Sequence, residues 1–259
     1  RLRDSAISIA TKLNLRGPVN LHFLLANDQI YLLQIKSYSG HNVAFLTKAL
    51  KKDITAITMK VLLGSTLSEL DLPSDIWPSN DLIHVKMPVF SYLSYSSENT
   101  FDSKMKTSGS VMGRAKHLPT ALFKGYEGSD LMISTYGTVF ISVKDSEKHN
   151  AIKIAARFHQ LGFKLLATEG TANVLAEEGI TTGIIEKVQE GSNSLLEKIK
   201  QHRINLVINV TSLSDSASHD AIMIKDAALS THIPVFSSLQ SAQDVLIVLE
   251  TLAMTTQPL

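Results

Sequence analysis

The strongest constraint on the fold lies in the second half of the chain, where short apolar runs alternate with segments of helical periodicity. TVFISV (138–143), FKLLA (163–167), TTGII (181–185), NLVINV (205–210) and IPVF (233–236) are rich in β-branched and apolar residues and short enough to be buried strands. Around them the pattern predicts helices over 147–161, 172–178, 195–201, 219–230 and 242–253. In the first of these Ala151, Ile154, Ala155, Phe158 and Leu161 share one face. Gly162 and Gly179 stand where helices end, and Ser241 and Asp244 suit the first turn of the last helix. Parallel strands need a long crossover, usually a helix, between partners. The alternation therefore predicts an α/β unit: a doubly wound, parallel, five-stranded sheet with helices on both faces.

The first half reads as mixed helix and strand. A helix is expected near 3–13, stopped at Gly17-Pro18. NLHFLLA and QIYLLQI read as two strands joined by Asn27-Asp28, residue types that favour a two-residue hairpin turn. Helices are expected over 43–50 and 54–63, the latter ending at Gly64. Residues 65–81 lack periodicity. HVKMPVFSYL reads as an edge strand in which Pro88 lacks a ladder donor, and SGSVMG as a turn into a short strand. The domain boundary is placed in the linker 124–136. With 259 residues, two ordinary domains are expected. Starting at Arg1 without Met, the chain reads as a piece of something longer.

Composition narrows the function classes. Twenty-five basic against 24 acidic residues give no excess of positive charge for nucleic acid. No apolar run approaches the roughly 18 residues of a membrane span. The absence of cysteine excludes a thiol nucleophile or thiolate metal site and fits a cytoplasmic address. The nine histidines form no ligand-spaced pair, so no metal site is expected.

In an open parallel sheet, ligands bind at the carboxyl ends of the strands, beside helix N-termini with free backbone donors. FKLLATEGTANVLAEEG has that layout: a strand ending at Ala167, a turn over Thr168–Thr171, then a helix. Gly170 lets backbone approach a ligand closely, while Thr168 and Thr171 bring hydroxyls. Thr171 as a simple N-cap beside a tight Gly170 turn explains the same pattern. Ser142 and Lys148 follow the strand TVFISV, Lys187 follows TTGII, and Asn209 and Thr211 close NLVINV. Their convergence on one rim would make a pocket for a small anion, a phosphate or a carboxylate.

TVFISVKDSEK, GFKLLATEGTANVLAEEGI, EKVQEG and LVINVTS resemble, in order and spacing, the methylglyoxal-synthase-like domain. GPVNLHFLLANDQIYLLQIKSYSGHNVAFLTKAL, MPVFSYL and KMKTSGSVMGRAKHLPTALFKG resemble the end of the second ATP-grasp unit of the carbamoyl phosphate synthetase large chain and the segment leading to its regulatory domain. The resemblance implies a partial α+β ATP-grasp subdomain over 1–125 and a methylglyoxal-synthase-like regulatory domain over 126–259. It also implies that Ser142, Lys148, Thr168, Gly170, Thr171, Lys187, Asn209 and Thr211 hold an anionic effector of nucleotide monophosphate or N-acetylglutamate type. The implied partners are the rest of the large chain and a glutaminase subunit or domain, and the parent family uses Mg-ATP.

Departures from the family pattern bear on that reading. Where the family carries a Gln, then the Glu and Asn that hold Mg²⁺, this chain has His22, Gln34 and Lys36. Tyr38 and His41 stand at arginine positions, and Lys104 replaces a glutamate. Magnesium takes hard, preferably anionic oxygen ligands, so this portion is expected to be catalytically silent, with no cofactor of its own. Asp226, after Lys225, takes the place of an arginine at a family helix start, and Asp220 is matched to the family's Asp near the end of the loop after Thr211. Two alternatives stand beside this one. A lyase acting on a three-carbon phosphate would use Asp145 as its base, although SLSDSASHD lacks that enzyme's Gly-Gly-Asp pattern. A non-catalytic scaffold would use the altered ATP-grasp surface to dock another subunit.

Overall fold

The computed structural model describes residues 1–37, 42–73, 76–77, 80–89, 109–186, 193–211 and 215–255. The chain forms two compact units that divide between Asn80 and Asp81.

In the first unit, α1 (Leu2–Lys12) precedes the hairpin of β1 (Val19–Ala26) and β2 (Gln29–Ser37), followed by α2 (Val43–Leu50) and α3 (Ile54–Leu62). The hairpin turns through Asn27 and Asp28, both left-handed with φ of 50° and 59°, so Ala26 pairs directly with Gln29. This is the two-residue turn the sequence favours. The Asp53 side chain caps α3 by accepting from the Ala56 amide at 2.9 Å. Leu24, Leu25, Leu32 and Leu33 are all exposed. Consecutive residues of a strand face opposite sides, so both faces of the hairpin are apolar. Ala49 and Thr58 are the buried residues among those described here.

The second unit contains β3 (Ile83–Val89) and β4 (Gly109–Ala115), an antiparallel pair, and then α4 (Leu118–Gly128). Next come β5 (Thr138–Val143), α5 (Lys148–Gln160), β6 (Lys164–Thr168), α6 (Glu169–Glu177) and β7 (Gly183–Ile185). The chain continues through α7 (Ser194–Lys200), β8 (Leu206–Val210), α8 (Asp215–Ser230), β9 (Val235–Phe236) and α9 (Leu239–Thr255). All five strands from β5 onward are parallel, in the order β7-β6-β5-β8-β9. This is the doubly wound sheet expected from the alternation.

Two apolar layers cover its faces. Val139, Ile141 and Val143 of β5 join residues of α4, α5, α6 and α9, including Tyr126, Phe158, Leu175 and Leu246. Phe140 turns the other way, into a layer with Leu195, Ile199, Val207, Ile224 and Ala228 from α7, α8 and β8. Arg157 donates from Nε and Nη2 to the two carboxylate oxygens of Glu250, each at 2.7 Å, and so ties α5 to α9.

Three features differ from the sequence expectation. Helix α4 stands where part of a linker was expected, with Pro119 in its first turn. It buries Leu122 and Tyr126 in the sheet core, against which Val85 and Met87 of β3 also pack. Residues 81–89 and 109–125 thus belong to the second compact unit, whereas the resemblance groups them with the first portion. Helices α6, α8 and α9 also begin three or four residues earlier than expected; at α9 the Ser238 hydroxyl accepts from the Ser241 amide at 3.1 Å. Among the described residues, no helix is long and apolar enough to cross a membrane.

Candidate functional site

Side-chain alternation along three adjacent strands puts the polar residues of interest on one face. Phe140 and Ser142 of β5 point to the α7–α8 side, as do Val207 and Asn209 of β8 and Leu166 and Thr168 of β6. Ser142 is directly opposite Asn209 in the β5–β8 register. The order β6-β5-β8 therefore lines up Thr168, Ser142 and Asn209 across the carboxyl ends of the sheet.

Thr168 is both the last residue of β6 and the N-cap position of α6, with extended backbone at φ −66° and ψ 150°. Its side chain makes no capping hydrogen bond to the helix. Instead the Thr168 hydroxyl donates to Thr171 Oγ1 at 3.4 Å and lies 3.5 Å from the Ser142 hydroxyl. Thr171 Oγ1 also accepts from the Val143 amide at 3.5 Å. These contacts are long compared with the roughly 2.7–2.8 Å usual for hydroxyl pairs. Thr168, Thr171 and Asn209 are all buried. Loosely paired hydroxyls here lie beside the N-terminus of a nine-residue helix, where free backbone N–H groups and the helix dipole favour an anion.

The cation comes from the next element. After β5, a 3₁₀ turn over Asp145–Glu147 leads into α5, and Lys148 is that helix's first residue. Lys148 Nζ pairs with Asp145 Oδ1 at 2.7 Å. Nζ also lies over the backbone of Gly170: a Cβ on that residue would sit 2.8 Å from it. Glycine at the second position of α6 thus makes room for the ammonium, the close approach expected of it.

The structure therefore brings Ser142, Lys148, Thr168, Gly170 and Thr171 together, with Asn209 beside Ser142 by strand register. Thr211 follows β8 directly and is exposed. Lys187 lies outside the described residues, as do Tyr38, His41 and Lys104. Thr171 is not the N-cap: the helix begins at Glu169, and Thr171 lies inside its first turn. Lys225 and Asp226 lie well inside α8, which begins at Asp215, and not at a helix start. Asp226 Oδ1 is buried, with no hydrogen-bond partner among the described residues. Burial pushes the Lys225 ammonium below its ordinary pKa, opposed by the Asp226 charge. The pairing of Asp145 with Lys148 was not foreseen, although their i,i+3 spacing across a strand-to-helix turn is readable in the sequence.

In the first unit, His22 pairs with Gln34 and Asn20 with Lys36 in the hairpin register. Gln34 and Lys36 are two residues apart on one strand and so share a face. His22, Gln34 and Lys36 are exposed and include no carboxylate. This donor set does not fit Mg²⁺ on nucleotide phosphates, because an ammonium stands beside the amide that would have to coordinate it. Among the described residues no group of three His, Asp or Glu side chains is placed to hold a metal ion.

A cleft of about 490 Å³ lies at the opposite, amino end of the strands, lined by Asp130, His202, Asn205 and His232 among others. Three helices end there, and the carbonyls of Tyr126, Lys198 and Ala228 in their last turns accept from the amides of Leu131, Arg203 and Ile233.

Residues 150–237 match the family described as MGS-like domain. Among solved structures, one titled as ForH is similar at 21% identity and a TM-score of 0.37, over 45% of this chain and 80% of that one. A methylglyoxal synthase from Elizabethkingia anophelis NUHP1 is similar at 18% identity and a TM-score of 0.38, over 44% of this chain and 79% of that one. The α/β unit with its five-stranded parallel sheet is consistent with an MGS-like fold.

Proposed function

We propose that the sheet unit is a regulatory domain that binds a small anionic effector at the carboxyl ends of β5, β6 and β8. The observation that carries the reading is the chain of hydroxyls from Ser142 through Thr168 to Thr171, with Lys148 held over Gly170 at the start of α6. Neutral donors orient an oxyanion there and Lys148 supplies its charge complement. The effector class is a nucleotide monophosphate or N-acetylglutamate.

The larger context we propose is the C-terminal part of a carbamoyl phosphate synthetase large chain or a diverged relative of it. The sequence resemblance over the first half supports this, as does the hairpin with two apolar faces, the pattern of strands belonging to a wider covered sheet. In that context the rest of the large chain and a glutaminase subunit are the partners. Mg-ATP chemistry belongs to those parts and not to His22, Gln34 and Lys36. Effector binding would act by shifting the population between arrangements of the domain, with a coupling of about 1–3 kcal/mol.

Isothermal titration with uridine monophosphate, inosine monophosphate and N-acetylglutamate tests the effector reading. Heat from one of them, lost in Lys148→Met, is the expected result. A folded chain that responds to none of them refutes it. One observation favours a second reading, a lyase acting on a three-carbon phosphate: a carboxylate, Asp145, lies within 2.7 Å of the anion-site cation. Release of inorganic phosphate from dihydroxyacetone phosphate by the purified chain would establish that reading over the regulatory one.

A further inference from the structure

Helices α4, α5, α6, α7 and α8 all end alike at the amino ends of the strands. In each, two carbonyls of the last turn accept from the two amides just past the helix, and the first of those amides belongs to a residue with positive φ. Glycine is the usual residue there, because a side chain in the left-handed region crowds the backbone. Glycine does stand there after α5 and α6, as Gly162 and Gly179. After α4, α7 and α8 the chain instead carries Asp130, His202 and His232, with φ of 61°, 54° and 58°. Those three residues, and neither glycine, line the cleft of about 490 Å³. Asp and His tolerate left-handed backbone better than most residues, which explains why the fold accepts them but not why all three share one cavity.

Electrostatics disfavour Asp130 as well. A carboxylate just past a helix C-terminus meets the negative end of the macrodipole, where a cation is favoured. Neither α4 nor α8 has a basic residue in its last turn, although α7 has Lys198 and Lys200. No Lys or Arg lines the cleft, and Asp130 has no cationic partner among the described residues. The carbonyls of Gly128, Ser129, Ser230 and Thr231 take up no amide among the described residues, so acceptors remain at the ends of α4 and α8. Ile204 and Ile233, both buried, and Pro234 add an apolar wall.

We infer that this cleft is a second ligand site, for a small organic cation. The guest is an alkylammonium whose N–H groups are accepted by the Asp130 carboxylate and the helix-end carbonyls, and whose hydrocarbon lies on Ile204, Ile233 and Pro234. A neutral imidazole carries one acceptor nitrogen, which suits the same guest at His202. Among the described residues no three His, Asp or Glu side chains converge on a metal position, so an N–H cation fits better than a metal ion. The cleft volume is that of a small-molecule pocket. Lys148 lies at the other end of the sheet, and this site does not depend on the anion-site reading.

The test uses the full chain at about pH 8, where an alkylamine is charged and free imidazole is neutral, with the amides of Asp130, His202 and His232 followed by ¹⁵N NMR. The probes are n-butylammonium and n-butanol, its uncharged counterpart. The expected result is a saturable shift of those amides with butylammonium, at about millimolar affinity for a ligand of this size, and none with butanol. Asp130→Asn should weaken binding about tenfold or more, through loss of a charged hydrogen bond. Asp130→Gly should weaken it as much, while its urea midpoint equals or exceeds that of wild type, because glycine suits a φ of 61°. Four results would overturn the inference: no shift of these amides with butylammonium, equal shifts with butanol, or an Asp130→Asn chain that binds as tightly as wild type. The fourth is a lower midpoint in Asp130→Gly, which would make Asp130 a residue of the fold and not of a site.

Discussion

Replacing Gly170 by alanine is expected to separate folding from binding. The residue is second in α6 with ordinary helical backbone, so alanine gains helix propensity, about 1 kcal/mol in a helix interior and about half that in a first turn. The new Cβ would lie 2.8 Å from Lys148 Nζ and 3.7 Å from its Cε, the flexible end of a side chain. Moving that tip disturbs an ion pair with one largely exposed partner, at a cost of about 0–1 kcal/mol. The two contributions nearly cancel, so stability should stay within about 1 kcal/mol of wild type. Binding should not survive as well. A methyl group between the ammonium and the α6 backbone removes a charged hydrogen-bonding partner from the anion, a loss of about 1.5–3 kcal/mol or roughly ten- to hundredfold in affinity. Chemical denaturation and phosphate titration on the same preparation measure both. A loss of stability of several kcal/mol, or unchanged affinity, would refute the reasoning. Gly113→Ala is the contrasting control. Its Cβ would fall 1.9 Å from the Ala121 carbonyl oxygen and 2.7 Å from the Gly125 nitrogen. Those are backbone atoms of α4 that cannot swing aside, so about 3 kcal/mol or more of destabilisation is expected, lowering Tm by roughly 6–12 °C.

Three further outcomes are expected. Burial, with the nearby Asp244 charge, raises the Tyr126 phenol to about 12. The native state therefore holds that proton longer than the unfolded chain, whose phenol titrates near 10. The resulting contribution is full below pH 10 and lost between 10 and 12, about 3 kcal/mol in all, and Tyr126→Phe should flatten the alkaline limb of a stability–pH profile. Arg157→Lys should lower stability by about 1 kcal/mol, because an ammonium cannot reproduce the paired bonds to Glu250; equal denaturation midpoints would contradict this. Titration with ATP should produce no Mg²⁺-dependent shift at the amides of His22, Gln34 or Lys36, and a saturable one would show that the hairpin holds the metal after all.

The parallel sheet was legible because each strand is a short β-branched run and each crossover carries its own helical period. The hairpin was legible because Asn27 and Asp28 tolerate the left-handed conformation that a two-residue turn demands. Helix α4 was hidden by Gly125 and Gly128, residues of low helix propensity that read as linker. The reason for Gly125 is tertiary: a Cβ there would come within 2.8 Å of the Met87 side chain on β3. The start of α6 was misread for a related reason. Gly170 looks like a turn residue, but it occupies the first turn of the helix because Lys148 needs the space. Of the site, the residue types and their strand ends could be read from sequence. The engagement of Lys148 by Asp145 could not, because it depends on how a 3₁₀ turn presents one carboxylate.

The idea most exposed to a direct test is that the rim formed by Ser142, Thr168 and Thr171 receives a negatively charged ligand with Lys148 as its cation. Saturation of the full chain with phosphate, read by ¹⁵N shifts, should move the amides of Gly170 and Thr171 first and most, and Lys148→Met should abolish the effect. Shifts centred elsewhere on the domain, or a Lys148→Met chain that binds as tightly as wild type, would contradict it.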